Sequence, residues 1–204
     1  MTLRINQRNI LIDMKTHHLK ATLCAAVLAL GTQAAHAGDA KNALRPLVES
    51  AAQRLQIGEE VALSKWDSGK SVEDLARENA VISNAVAEGQ RANLAAADVT
   101  RFFKAQIEAN KLVQYELLAR WRRAGSAPQH APVDLAGKIR PELDRLQTKM
   151  IAELADADSV LGSNECAKEV AHAVGRYAFE HQFDPTDLPV LALDRAMAGF
   201  CRVY

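Results

Sequence analysis

The sequence is short of cysteine, short of aromatic residues and without net charge, and each shortage closes a class of explanation. Only three cysteines occur and none stands in a Cys-x-x-Cys pair. His172 and His181 do not lie at ligand intervals around Cys166 or Cys201 either, so no metal site is expected. Lys and Arg number 25 against 25 Asp and Glu. Nucleic acid or an anionic membrane surface would favour a basic excess, so neither is an expected partner. There is no Gly-x-Ser-x-Gly elbow and no histidine beside a nucleophile, which argues against a hydrolase. No segment alternates like a half-buried strand, and no internal repeat or low-complexity tract follows the first 37 residues.

Those 37 residues read as an export leader. Lys15, His17, His18 and Lys20 form a basic region, Ala21 to Leu30 an apolar run of ten, and Ala35-His36-Ala37 the small-x-small pattern that precedes cleavage. The run is too short for a bilayer, which needs roughly 20 residues. Met14 is an alternative start. A lipid anchor on Cys24 is disfavoured because Leu23 fills the preceding position, where a small residue is needed. Cleavage before Gly38 leaves residues 38–204 as one domain, periplasmic or secreted and free of the membrane. Removing Arg4, Arg8, Lys15, Lys20 and Asp13 leaves 21 basic and 24 acidic residues. Any concentration of cations is then a local device. In an oxidising compartment the two remaining thiols, Cys166 and Cys201, are expected to pair, closing a loop of about 35 residues for a few kcal/mol.

Apolar residues recur at helical spacing and predict an all-α domain of six helices. The first runs from about Ala43 to Trp66, with Leu47, Ala51, Leu55, Val61 and Leu63 inward. Ser71 followed by Asp74 resembles a capping box and predicts a second helix from there to about Ala92. A third reaches from near Ala96 to Arg123, followed by a loop from Ala124 to Val133 that holds Gly125, Pro128 and Pro132. A fourth ends near Asp156, a fifth covers about Asn164 to Phe183 and a sixth about Asp187 to Arg202. Pro141 lies seven residues after the capping candidate Asp134, so the fourth helix either starts late or kinks.

The informative polar residues fall on these helices. Arg54 and Lys65 lie eleven apart, close to three turns, and point to one side of the first helix. Asp74 sits one turn before Arg77 and Glu78. Asn110 and Gln114 are one turn apart on the third helix. A pocket for a small dianion needs these groups, but each alone is more often a solvated charge or amide, and Asp74 and Glu78 also suit the positive end of a helix dipole.

Order and spacing over residues 50–120 add a resemblance to the AroQ chorismate mutase unit: Arg54, Lys65, Asp74 nine positions on, Arg77-Glu78, Val99-Thr100-Arg101-Phe102-Phe103, Gln106-Ile107-Glu108-Ala109-Asn110 and Gln114. Asp134-Leu135, Ile139-Arg140-Pro141, Leu143-Asp144 and Leu146-Gln147 are similar to the extension of the secreted, gamma branch, as are the leader and the late cysteine pair. The divisions implied are a catalytic core at 38–123 and a helical extension at 134–204.

The resemblance implies an isomerase that converts chorismate to prephenate without cofactor or covalent intermediate, working as a homodimer with a complete site in each chain. It implies that Arg54 holds one substrate carboxylate with help from Asn110, and Arg140 the other. Lys65 and Gln114 would face the ether oxygen, Arg77 would brace the carboxylates, and Glu78 with the Asp74 backbone would receive the ring hydroxyl. Some members carry Glu where this chain has Gln114. An amide donates at any pH, whereas a carboxylate must first be protonated, so a rate level through neutral and mildly basic pH is expected. Val81, where a relative within the branch has glutamine, is expected to be a pocket wall. The same cations without turnover would suit a helical periplasmic binding protein, and scattered over the surface a purely structural domain.

Overall fold

The computed structural model describes residues 43–202, and contacts divide the chain into residues 1–39 and 40–204. The expected leader, residues 1–37, lies outside the described residues, which all belong to the second unit. Within that unit they form seven α-helices and one π-helical turn: α1 over 43–68, then α2 (Leu75–Arg91), α3 (Ala96–Ala124), the π turn (Leu135–Ile139), α4 (Arg140–Asp156), α5 (Asp158–Leu161), α6 (Cys166–Glu180) and α7 (Leu188–Met197). The six expected helices are all present, and the four-residue α5 is an addition to them.

Helix α1 buries Leu44, Leu47, Val48, Ala51 and Leu55, the i, i+3, i+4 stripe that turns one face of a helix to the core. Gly69, with φ at 65°, ends it, because a residue without Cβ enters the left-handed region without strain. Val61 is only half-buried: it packs against the cluster of Ile57, Ile139 and Leu146 and also lines a cleft.

Helix α2 starts three residues later than Ser71 suggests. Asp74 is its cap, accepting the Arg77 N–H at 3.0 Å, and Glu78 reaches back to the Asp74 N–H at 3.3 Å. The reciprocal cap therefore forms three residues further along, where Glu78 is long enough to close it. The Ser71 hydroxyl donates to the Glu73 carbonyl at 2.8 Å instead.

Pro141 is accommodated by the late start that was one of the two expectations, with a π turn filling the residues between Asp134 and the α-helix. Asp134 caps the π turn by accepting the Gly137 N–H at 2.7 Å, and the Ile139 N–H bonds to the carbonyl of Asp134, five residues back. This wider turn passes directly into α4, which begins at Arg140 with Pro141 in its first turn. There a missing N–H leaves no bond unmade.

Helix α3 is the axis of the domain, packed by α2 and α7 and bonded to α1 through Asn110. Phe102 and Phe103 are wholly buried on it and meet edge to face with ring centroids 5.5 Å apart. Each fully buried side chain of this size contributes roughly 1.5 to 3 kcal/mol. The Gln106 amide donates to the Ala196 carbonyl at 3.0 Å and fastens α7 to α3. Cys166 and Cys201 form a disulfide that ties the start of α6 to the turn beyond α7, as expected. Two smaller apolar clusters, one around Trp121 with Trp66 and one of Ile57, Ile139 and Leu146, supply walls for the cleft between α1, α2, α3 and α4.

Candidate active site

That cleft is lined by all eight residues singled out from the sequence: Arg54, Lys65, Asp74, Arg77, Glu78, Asn110, Gln114 and Arg140, with Val81 in its wall. It holds about 150 Å³, the scale of a small organic molecule.

Arg54 comes from the inward face of α1 and is 6% exposed. Its Nε has no hydrogen-bond partner. Burial pushes its pKa down from the usual value to about 10, the positive charge of Arg77 pushes the same way, and Asp144 pulls back. It stays a cation at neutral pH, but an underserved one, and a buried charge without a partner is costly. Along α1, Gly58 leaves room for the site: a Cβ there would stand 3.0 Å from the Asn110 amide nitrogen.

Asn110 and Gln114 project from successive turns of α3. The Asn110 amide donates to the Arg54 carbonyl at 3.1 Å, and its oxygen accepts from Gln114 Nε2 at 2.7 Å. Gln114 is 5% exposed; its Oε1 lacks a partner, and one of its two amide hydrogens remains free for a ligand. Gln114 is therefore interior and Asn110 half-buried, against the usual behaviour of such amides on a helix face.

The first turn of α2 supplies the rim. Arg77 pairs with Asp144 of α4 at 3.3 Å. Glu78 pairs with Lys111 of α3 at 3.4 Å, and Lys111 is also 2.7 Å from Glu108. Arg140, the first residue of α4, is exposed at the mouth. Sequence reasoning assigned no role to Lys111 or Asp144. The available signal was position, since Lys111 directly follows Asn110 and lies three residues before Gln114, on the edge of the same face.

The lining holds five cations, Arg54, Lys65, Arg77, Lys111 and Arg140, against three acids, Asp74, Glu78 and Asp144. No cysteine, serine, threonine or histidine lines it. Among the described residues no group of three or more His, Cys, Asp or Glu is placed to hold a metal ion.

The helices converge cations and amides on one small cleft, a lining suited to a compact organic acid. The comparisons with known proteins are more specific. Residues 45–115 match the family described as chorismate mutase type II. The chain is 36% identical over 185 residues to the secreted chorismate mutase of Mycolicibacterium smegmatis, covering 90% of this chain and 99% of the relative. It superposes on the crystal structure of a chorismate mutase from Burkholderia phymatum with TM-score 0.75 and 43% identity, over 80% of this chain and 99% of that one. A chorismate mutase from Burkholderia thailandensis gives TM-score 0.73 and 33% identity, over 78% and 99%. The chain belongs to the chorismate mutase family and is an isomerase of that family. Like the mycolicibacterial relative it is a secreted protein, and among the described residues no helix is long and apolar enough to cross a membrane.

Proposed function

We propose that the cleft rearranges chorismate to prephenate by holding a compact conformer and stabilising the charge that develops as it reacts, with no covalent intermediate. The observation that carries this reading is Arg54, a guanidinium buried in the cleft with its Nε unpartnered. A substrate carboxylate is the counter-ion it lacks. Asn110, bonded to the Arg54 carbonyl, supports it, and Arg140 at the mouth receives the second carboxylate, with Arg77 as a brace. Two cations gripping two carboxylates select the reactive shape from the extended ones, which removes much of the entropic part of the barrier.

The reaction is unimolecular and pericyclic, so no nucleophile or proton relay is needed. As the C–O bond breaks, negative charge grows on the ether oxygen. Lys65 and the free amide hydrogen of Gln114 then bind the transition state more tightly than the ground state, and this difference is what accelerates the reaction. Glu78 and the Asp74 backbone take the ring hydroxyl. All eight residues come from one chain, which supports a complete site in each subunit of a homodimer. The same reading makes residues 1–37 a cleaved leader and 134–204 an extension that supplies Arg140 to the core.

Chorismate consumption followed by absorbance, with prephenate confirmed by acid conversion to phenylpyruvate, tests the reaction directly. Lys65→Ala is expected to lower kcat by at least about 100-fold, the effect of removing one donor to a developing oxyanion. A near-normal kcat would take Lys65 out of the site. With an amide at position 114, kcat/KM should stay level from neutral into mildly basic pH. It should fall only towards about 10, where Arg54 of the free enzyme gives up its proton. A sharp loss just above neutrality would contradict the assignment of Gln114.

A further inference from the structure

Glu78 is held at both oxygens before any ligand arrives. Oε1 accepts the Asp74 N–H at 3.3 Å and Oε2 accepts from Lys111 Nζ at 3.4 Å. The second contact crosses from α2 to α3 and joins residues 33 apart in sequence. Lys111 is itself confined: its side chain is 13% exposed and its ammonium lies 2.7 Å from Glu108. The hydrogen bond to Glu108 leads the influences that hold its pKa above the usual lysine value, against a smaller opposing effect of burial. A lysine gripped more closely by Glu108 than by Glu78 is not a mobile cation waiting for a substrate carboxylate.

A dianionic substrate entering this cleft raises a difficulty that Lys111 resolves. Glu78 is 19% exposed and would face two incoming carboxylates, whose repulsion favours rotating its side chain out of the cleft. Arg77, its neighbour on α2, is already committed to Asp144. Lys111 is the cation placed to hold Glu78 in position. We propose that Lys111 is a positioning residue for the reaction, anchored from outside by Glu108 and orienting the Glu78 carboxylate to accept the substrate's ring hydroxyl. This rests on the reading of Glu78 as the hydroxyl acceptor. It makes Lys111 selective: its removal affects substrates that carry the hydroxyl and spares those that do not.

The test is steady-state kinetics on the full chain with two substrates, chorismate and an analogue whose ring hydroxyl is replaced by hydrogen. Lys111→Met is expected to lower kcat/KM for chorismate about 30-fold, on the scale of one hydrogen bond to a charged group, and to change the analogue less than about threefold. Lys111→Arg should restore most of the chorismate rate, because a cation returns between the two carboxylates. Glu108→Gln, which leaves Lys111 in place but loosens it, should show the same substrate selectivity at smaller amplitude and serves if Lys111→Met fails to fold. Glu78→Gln should be impaired on chorismate, and adding Lys111→Met to it should cost little more, since the two act as a unit. Equal losses on both substrates, or an unaffected Lys111→Met beside an impaired Glu78→Gln, would overturn the role of Lys111 and leave Glu78 as the acceptor. A Glu78→Gln variant with normal chorismate kinetics would instead remove the hydroxyl reading on which this role stands.

Discussion

Asp98 and Arg54 are buried alike, 5% and 6% exposed, and their electrostatic circumstances are opposite. Asp98, near the start of α3, is gripped by Arg101 at 2.8 Å and by Arg202 at 2.7 Å. Burial pushes its pKa up, but the hydrogen bonds from Arg202 and Arg101 outweigh that and hold it below the usual aspartate value. Arg54 has a second cation for a neighbour and an Nε with no partner. One charge is buried to fasten Arg202 to α3, and on the proposed reading the other is kept underserved to face a ligand.

Arg54→Met tests the contrast most severely. It should lower kcat/KM by about 1000-fold, roughly 4 kcal/mol, the range seen when one partner of a buried charge contact is truncated. The fold should hold or gain, because exchanging an uncompensated buried charge for an apolar side chain of similar length is neutral or stabilising by about 1 to 2 kcal/mol. Kinetics and thermal unfolding of the same variant decide the matter. A large loss of Tm would mean that Arg54 is structural after all.

Asp98→Asn should give the mirror image. Turnover per folded molecule should stay near normal, while stability falls by about 2 kcal/mol, less than for a fully enclosed pair because both arginines reach solvent. For a domain of this size that is a Tm lower by about 4 to 8 °C. The pH dependence follows from the lowered pKa. The ionised form is favoured in the folded state, so the contribution is present above the unfolded aspartate value and is lost as pH falls through the folded one. The gap between wild type and variant should therefore close in acid, as unfolding midpoints measured from pH 7 down to pH 3 would show.

The helices were legible in the sequence because they depend on spacing along one chain; the eight cleft residues were singled out by spacing together with the family resemblance, Arg140 by the resemblance alone. The stripe from Leu44 to Leu55 and the three-turn separation of Arg54 and Lys65 need only helical periodicity to be read. What was not legible depends on which helices meet. Lys111 pairs with Glu78 from 33 residues away, and Arg77 with Asp144 from 67, so neither shows a local pattern. Ser71 and Asp74 are both good caps, and only the reach of Glu78 decides between them. The π turn before Pro141 also needs the packing of Ile139, which is wholly buried and must be turned inward one residue before the helix proper begins. The burial of Gln114 was hidden for the same reason, since an amide on a helix face looks solvated until the facing helix is known.

Glu153 supplies the smallest and most discriminating test, because it stands between the two extremes. One of its oxygens accepts from the Ser50 hydroxyl at 3.1 Å and lies 3.6 Å from Lys149; the other is buried without a partner. Burial raises its pKa, against the pull of Ser50 and Lys149. Between the ordinary value and the raised one, the folded state holds a proton that the unfolded state has released, so stability falls as pH rises across that interval. Glu153→Gln keeps an oxygen for Ser50 and removes the charge. It should raise stability at pH 7 by about 1 kcal/mol, and the gain should vanish as pH drops below the ordinary glutamate range. A gain that persists in acid would point to packing as its source. Arg54 differs because a guanidinium with a pKa of about 10 has no such escape near neutrality. A carboxylate left short of partners can take up a proton, whereas the arginine must keep its charge until an anion arrives.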